Sequence, residues 1–158
     1  MLIRLATPAD LAAVDALFAL SYGRQLAGAY PPSLLVMAVP RLARAQPRLL
    51  ASGRYWLAEE DGAILGAGGW TPGAPGRGEV RHVVADHRRA RQGIGRAVMT
   101  AAMAQARAAG IARLDCCATL AAEPFYAALG FRSLGRVVLD LGPGIAFPAV
   151  SMACDLPS

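Results

Sequence analysis

A strand-turn-helix segment between Val83 and Met99 constrains the fold more than any other part of the chain. An apolar run ends in a basic turn with two glycines, and a helical pattern begins at once. The first N–H groups of a helix have no intrahelical partner, and the helix dipole adds partial positive charge there. Gly93 and Gly95 keep side chains away from those amides. The segment therefore predicts an anion site at the N-terminus of a helix.

The same turn is crowded with arginine. Four guanidinium groups are available to surround one bound anion: Arg88, Arg89, Arg91 and Arg96. Because guanidinium binds phosphate through parallel hydrogen bonds, this cluster suits a ligand that carries several phosphates. A phosphorylated cofactor is the first interpretation.

Spacing excludes two common phosphate-binding folds. A dinucleotide fingerprint requires a third small residue three places after the second glycine, where this chain has Val98. A nucleoside-triphosphate loop requires Gly-Lys-Ser or Gly-Lys-Thr, and the sequence contains neither. The turn therefore belongs to neither class.

Two segments resemble the GNAT superfamily of acyl-CoA-dependent N-acetyltransferases. Residues 90–95, Ala-Arg-Gln-Gly-Ile-Gly, resemble its motif A, Gln/Arg-x-x-Gly-x-Gly/Ala, except that Ala90 replaces the usual Gln or Arg. Residues 121–131 resemble the Ala-x-x-Phe-Tyr-x-x-Leu-Gly-Phe segment that follows the fifth strand in this superfamily. The resemblance implies acetyl-CoA as the co-substrate, no metal, and acetylation of an amine as the reaction.

The order of predicted elements supports an α/β fold. Strand and helix patterns follow one another as β-α-α-β-β-β-α-β-α-β-β. With the resemblance, this order predicts one domain over residues 1–158, in which a mixed, mostly antiparallel sheet of about seven strands is flanked by about four helices. Pro40 is expected to break the second helix. Residues 71–78 are expected to form a loop, and Gly110 to end a helix over residues 93–109.

Composition limits the class of partner. The net charge of +5 is densest in the turn at residues 88–96, where the phosphates of CoA explain it without nucleic acid. The sequence has no uncharged apolar run of about eighteen residues and no signal peptide, so we expect a cytoplasmic protein that does not span a membrane. Cys116, Cys117 and Cys154 lack metal-binding spacing and are expected to be buried, reduced thiols.

Acetyl transfer to an amine requires a base, because an alkylammonium with a pKa of about 10 is not nucleophilic. Glu79 is the preferred candidate, acting through a water, since it begins the strand into motif A where some members carry a catalytic glutamate. Its alternative is an ion pair with Arg81. His82, with an ordinary pKa of about 6.5, is the rival base. Its alternative is a histidine that is satisfied in the core or that supports a neighbouring site residue. Strict alternation puts Glu79 and His82 on opposite faces, so only one faces the cleft unless a bulge intervenes.

The departing thiolate is helped by a proton donor, and Tyr126 in the second resembling segment is the candidate. A phenol with a pKa of about 10 stays protonated at neutral pH and transfers its proton to a thiolate whose conjugate acid has a pKa of about 8.5. The alternative for Tyr126 is a purely structural aromatic on the core face of the last helix.

The resemblance also implies contacts with the co-substrate. Backbone groups of Val83 and Val84 are expected to pair with the pantetheine arm as an added strand, and one N–H to polarise the thioester carbonyl. Thr119 stands where many members carry an asparagine that contacts the cofactor. The full predicted set is Val83, Val84, Arg88, Arg89, Arg91, Gln92, Gly93, Ile94, Gly95, Arg96, Thr119 and Tyr126.

The acceptor pocket is expected from residues 22–48, the 71–78 loop and a hairpin at 142–146. Four aromatic residues either line it or pack in the core: Tyr22, Tyr30, Trp70 and Phe147. These segments contain few acidic residues, which disfavours a polyamine or aminoglycoside and leaves a small-molecule amine, an amino acid or a peptide N-terminus. Two functions stay open, an N-acetyltransferase and an inactive acyl-CoA-binding sensor or interaction module, and a homodimer also stays open.

Overall fold

Seven strands form one mixed sheet in the computed structural model, which describes residues 1–157. In chain order they are β1 (Leu2–Leu5), β2 (Tyr55–Glu60), β3 (Ala63–Pro72), β4 (Arg77–Ala85), β5 (Arg113–Thr119), β6 (Arg132–Asp140) and β7 (Ala146–Asp155). Their order across the sheet is β1-β2-β3-β4-β5-β7-β6. Within the described residues every neighbouring pair is antiparallel except β4 and β5. The predicted mixed, mostly antiparallel sheet is confirmed.

Helices cover both faces of this sheet. They are α1 (Leu11–Leu26), α2 (Pro32–Leu42), α3 (Pro47–Leu50), α4 (Ile94–Ala108) and α5 (Glu123–Ala128). Neighbouring residues of β3 show the two faces, because Ala67 packs in the core cluster of α1 and α2 while Gly66 faces Ile94 of α4. The core is therefore divided into a layer under α1 to α3 and a layer under α4 and α5.

Two predicted boundaries are wrong. Pro40 lies inside α2, which continues to Leu42, because a proline in the last turn of a helix removes a hydrogen bond only near the frayed end. The expected loop over residues 71–78 is shorter, since Thr71 pairs with Glu79 and the chain turns only between Pro72 and Arg77. Gly110 follows the end of α4 with φ of 85°, as predicted.

Small residues on β3 let α4 pack close to the sheet. A Cβ on Gly66 would lie 2.6 Å from Cγ2 of Ile94, and a Cβ on Gly68 would lie 3.2 Å from Cγ1 of Val98. Larger residues at these two positions would push the helix outwards. The glycines of β3 thereby hold the first turn of α4 against the sheet, near the end of β4.

Gly69 marks the closest backbone approach in the sheet, and it supplies a stability prediction. A Cβ there would lie 2.1 Å from the carbonyl oxygen of Arg54, so Gly69→Ala is expected to destabilise the fold by about 1–3 kcal/mol or more. The matched control is Gly23→Ala in α1, where a Cβ meets nothing within 4 Å and a gain of about 0.5–1 kcal/mol is expected. Urea unfolding measures both, and equal stability of Gly69→Ala and the wild type would contradict the close approach.

Candidate active site

A wedge-shaped opening separates the two parallel strands at the centre of the sheet. β4 and β5 pair only where residues 77–79 lie beside residues 113–115, yet β4 continues to Ala85 and β5 to Thr119. Beyond that point the facing backbone edges are not paired with each other. A cavity of about 350 Å³ fills the gap between them. Unpaired strand edges of this kind accept an extended ligand as an additional strand.

The wall of the cavity comes from five elements. α1 contributes Tyr22, Gln25 and Leu26; β4 contributes Val80, His82, Val83 and Ala85; α4 contributes Gly95; β5 contributes Cys116, Cys117, Ala118 and Thr119; and Ala121, Ala122, Phe125 and Tyr126 come from α5 and the turn before it. Glu79 does not line the cavity.

A β-bulge redirects β4 at the wedge. The pairing of β3 with β4 shifts between Gly69, which faces Arg81, and Ala67, which faces Val84. His82 has φ of 45°, a left-handed conformation that costs a non-glycine residue energy. The hydroxyl of Tyr55, itself buried, donates to the carbonyl oxygen of His82 and stabilises the bulge. Strict alternation, on which the opposite-face prediction for Glu79 and His82 depended, is therefore interrupted at His82.

His82 presents an imidazole to the cavity. Its ring stacks on Phe18 of α1, with centroids 6.1 Å apart and planes 22° apart. Burial lowers the pKa of His82 below its ordinary value, and the positive charge of Arg81 lowers it further. The imidazole is therefore neutral at pH 7 and carries a lone pair that accepts a proton.

Glu79 occupies a different environment. Its Oε2 accepts a hydrogen bond from Nη2 of Arg81 at 3.2 Å, and its side chain is 44% exposed. The ion pair with Arg81 that the sequence offered as the alternative is present. Of the two candidate bases, the geometry brings His82 to the cavity and leaves Glu79 outside it.

Tyr126 lies on the opposite wall of the cavity. Its ring makes edge contacts with Phe125 and Phe131, whose centroids are 5.1 Å and 5.4 Å away. Burial raises the pKa of Tyr126 well above its ordinary value, and the neighbouring thiol of Cys116 raises it further. The phenol therefore stays protonated at neutral pH and remains a proton donor.

Two cysteines of β5 also line the cavity, which the sequence reasoning missed. Cys116 is buried, and burial raises the pKa of its thiol to about 12. Cys117 is exposed, so the expectation of three buried thiols is wrong at this position. Consecutive strand residues point to opposite faces, and the face of Cys117 is open here, whereas that of Cys116 lies under α5. Because Cys116 and Cys117 are consecutive residues of one strand, the sequence already contained the signal that one of them faces outwards.

Two of the four arginines in the turn before α4 form ion pairs. Arg88 binds Asp86 at 2.8 Å, and the carboxylate of Asp86 also accepts from the backbone N–H of Arg88. Arg89 binds Glu60 at 2.6 Å. Within residues 1–157, Arg91 and Arg96 form no ion pair. The first two guanidinium groups shape the turn, and the other two are available to a ligand.

The backbone of the turn has the geometry of an anion site. Gly93 adopts φ of 75° immediately before α4, and a Cβ on it would meet nothing within 4 Å. Gly95 lines the cavity, and a Cβ there would lie 3.1 Å from the ring of Phe125. Ile94 is buried, while Oε1 of Gln92 accepts a hydrogen bond from Arg89. Gly93 thus leaves open space at the helix N-terminus, and Gly95 lets α5 pack against α4.

The remaining predicted residues divide between wall and core. Val83 and Thr119 line the cavity from β4 and β5, whereas the side chain of Val84 is buried in the α1 layer, so only its backbone is available. Of the four aromatic residues considered for the acceptor pocket, Tyr22 lines the cavity. Tyr30 and Phe147 stack on each other, and the buried Trp70 donates to Gln105.

The fold agrees with a comparison to known families. The model of the acetyltransferase (GNAT) family matches residues 23–131, which is more than half of the chain. The chain belongs to this family. The resemblance found in residues 90–95 and 121–131 is confirmed.

Solved structures share the fold of this GNAT protein at low sequence identity. A GCN5-related N-acetyltransferase from Rhodopseudomonas palustris is 21% identical with a TM-score of 0.80, over 98% of this chain and 95% of that one. The PaiA N-acetyltransferase from Thermoplasma acidophilum, solved with coenzyme A, is 16% identical with a TM-score of 0.76, over 98% of both chains. Ribosomal-protein-alanine N-acetyltransferase from Brucella melitensis is 20% identical with a TM-score of 0.68, over 99% of this chain and 100% of that one.

Two searches gave negative results. No curated protein matches this chain. Among the helices of residues 1–157, none has the length and apolar character that a membrane crossing requires.

Proposed function

We propose that this GNAT protein is an N-acetyltransferase that moves an acetyl group from acetyl-CoA to a primary amine by direct attack on the thioester. The observation that carries the proposal is the wedge between β4 and β5, because His82 and Tyr126 lie on its two walls and face one cavity. A base and an acid separated by a gap with unpaired strand edges suit a reaction in which an amine and a thioester meet in that gap.

Two parts of the site bind acetyl-CoA in this proposal, the unpaired edge of β4 and the N-terminus of α4. The unpaired edge of β4 beside Val83 accepts the amide groups of the pantetheine arm, as a strand would. The diphosphate lies at the N-terminus of α4, where the backbone N–H groups near Gly93, the helix dipole, Arg91 and Arg96 favour negative charge. An N–H of β4 also polarises the thioester carbonyl.

His82 is the proposed base. The acceptor enters as an ammonium ion, and neutral imidazole removes one proton, directly or through water, so that nitrogen gains a free electron pair. Glu79 is paired with Arg81 and does not line the cavity, which makes it the less suitable group. Burial of His82 keeps the base form available at neutral pH.

Tyr126 is the proposed acid. The amine nitrogen forms a bond to the carbonyl carbon, the tetrahedral intermediate collapses, and the carbon–sulfur bond breaks with its electron pair on sulfur. The phenol of Tyr126 gives its proton to that thiolate and regains one from solvent. The nitrogen loses its second proton to solvent as the intermediate collapses, and His82 returns the first proton to solvent. The products are the N-acetylated amine and CoA.

The other candidate function is an acyl-CoA-binding sensor without transferase activity. The departures from motif A at Ala90 and from the family asparagine at Thr119 favour it, since each removes a side-chain contact with the cofactor. We propose the enzyme because His82 and Tyr126 both line the cavity, and binding of acyl-CoA alone requires neither a base nor a proton donor there. The proposed setting is the cytoplasm, where acetyl-CoA is available.

CoA binding is tested by two nearly isosteric substitutions at Gly93. Asn and Asp both tolerate the left-handed conformation found there, but only Asp adds a negative charge where the diphosphate is proposed to lie. Gly93→Asp is expected to weaken CoA binding by about tenfold or more relative to Gly93→Asn, and salt should reduce the difference. Calorimetry measures both affinities, and thermal melting shows that the variants fold alike. Equal affinities would place the diphosphate elsewhere.

The base is tested by comparing His82→Gln with Glu79→Gln. An amine panel first identifies an acceptor whose acetylation is measured as CoA release. For that acceptor the wild-type kcat is expected to fall only below about pH 6.5, because the pKa of His82 lies under its ordinary value and the active form is neutral. His82→Gln is expected to lower kcat by about 10²–10⁴ and to abolish this acid limb.

Glu79→Gln is the matched control, since it also replaces one titratable group of β4 by an amide. It is expected to keep the acid limb and most of kcat. Loss of the limb in Glu79→Gln together with its persistence in His82→Gln would assign the base to Glu79. CoA binding without turnover of any amine would favour the sensor instead.

The acid is tested by Tyr126→Phe. The ring still packs against Phe125 and Phe131, but no proton reaches the thiolate in the transition state. We expect kcat to fall by about 10²–10⁴, while CoA affinity changes by about tenfold at most. The comparison requires an acceptor for which chemistry limits turnover. Nearly full turnover in Tyr126→Phe would make the residue structural.

A further inference from the structure

A row of charged side chains lies on one face of β4 and β5, next to the exposed Cys117 at the rim of the cavity, which we call its mouth. We call it the charged floor, and it consists of Arg77, Glu79, Arg81, Arg113 and Asp115. Alternation puts Arg77, Glu79 and Arg81 on the same face of β4, and pairing of Glu79 with Asp115 continues that face onto β5. Three arginines oppose two carboxylates, so the floor carries an excess of one positive charge.

The two carboxylates of the floor are not held equally. Asp115 accepts from Arg77 at 2.8 Å and from Arg113 at 2.9 Å, and these contacts lower the pKa of Asp115 despite its burial. Glu79 accepts a single, longer bond of 3.2 Å from Arg81. Of the three arginines in the floor, Arg81 therefore forms the longest ion pair with its carboxylate.

Two hydrogen bonds fix the guanidinium group of Arg81 in place and leave part of its donor edge unused. Its Nε donates to Oγ1 of Thr71 at 3.0 Å and its Nη2 donates to Glu79, whereas Nη1 has no hydrogen-bond partner within residues 1–157. The side chain is 42% exposed. A guanidinium group that is oriented by two neighbours and keeps an unused donor edge is preorganised to bind an anion.

Arg81 also lies close to the reacting groups. It directly precedes His82 in the bulge, and the face that it shares with Glu79 continues on β5 from Asp115 to Cys117, which lines the cavity together with His82. Arg77 pairs with Arg113 at the paired end of β4, away from the wedge. Among the arginines of β4, Arg81 is therefore the one placed to touch a molecule bound at the mouth.

We infer that the acceptor is an amine that carries a carboxylate within a few bonds of its nitrogen, as a free amino acid does, and that Arg81 binds this carboxylate. The inference rests on the proposed acetyltransferase function and identifies its substrate class. The amine end enters the cavity beside His82 while the carboxylate lies on the charged floor. A peptide N-terminus lacks a neighbouring carboxylate, and a polycationic amine would face an excess of positive charge.

The test compares amino acids with their carboxamides, which have nearly the same shape but no negative charge. The common amino acids are each assayed beside the matching amide, with acetyl-CoA and the intact protein. We expect kcat/KM for the best acid to exceed that for its amide by about 10- to 100-fold, because a charge-assisted hydrogen bond is lost in the amide. The difference should lie in KM rather than in kcat.

Substitution of Arg81 assigns the preference to this side chain. Arg81→Met is expected to raise KM for the acid about 10- to 100-fold and to leave KM for the amide nearly unchanged, while Arg81→Lys retains part of the preference. Arg77→Met is the matched control, because it removes the same charge from the same face of the same strand and should keep the wild-type preference. Melting temperature and CoA affinity establish that each variant is folded.

The outcomes separate this inference from the proposed function. Turnover of alkylamines or peptides with no turnover of amino acids would overturn the inference and leave the acetyltransferase standing. Equal use of acids and amides by the wild type, or an acid preference that survives in Arg81→Met, would overturn it as well. CoA binding with no turnover of any amine would overturn the proposed function and the inference with it.

Discussion

The structure depends on a single departure from regular pairing, the divergence of β4 from β5. A continuous ladder between these strands would satisfy every backbone group and leave no room for a ligand. Instead the pairing ends after Glu79, and the bulge at His82, stabilised by the hydroxyl of the buried Tyr55, directs the rest of β4 away. The strain of His82 at φ of 45° is offset by the surrounding core. Cavity, unpaired edges and a neutral imidazole all arise from this bulge.

The electrostatics divide the arginines into structural and functional groups. Arg88 and Arg89 are used within the fold, where they pair with Asp86 and Glu60 and shape the turn before α4. Arg91 and Arg96 remain for the phosphates of the proposed acetyl-CoA, and Arg81 remains for the acceptor. The four arginines before and in α4 are therefore divided between ion pairs within the fold and the proposed cofactor site, and Arg81 lies apart from them in the middle of β4.

Prediction from the sequence succeeded where the signal is local. The glycines before α4 and at residue 110, the order of the seven strands, and the segment around Tyr126 all depend on residues that are close in the chain. It failed at Pro40, because a proline in the last turn of a helix does not break the helix. It also failed at Thr71, where pairing with β4 extends β3 into a stretch rich in glycine and proline. The choice between Glu79 and His82 depended on a bulge, and alternation alone does not predict one.

The sequence by itself determined the family, the order of strands and helices, and the glycine-containing turn before α4, because each follows from spacing between residues that are close in the chain. Only the tertiary structure decided which side chains share the cavity. Cys116, Cys117 and Gln25 reach it from distant parts of the chain, whereas Glu79 is paired with Arg81 and does not line it. The physical reason is that contacts between residues far apart in sequence depend on strand register, and one bulged residue changes that register for everything beyond it.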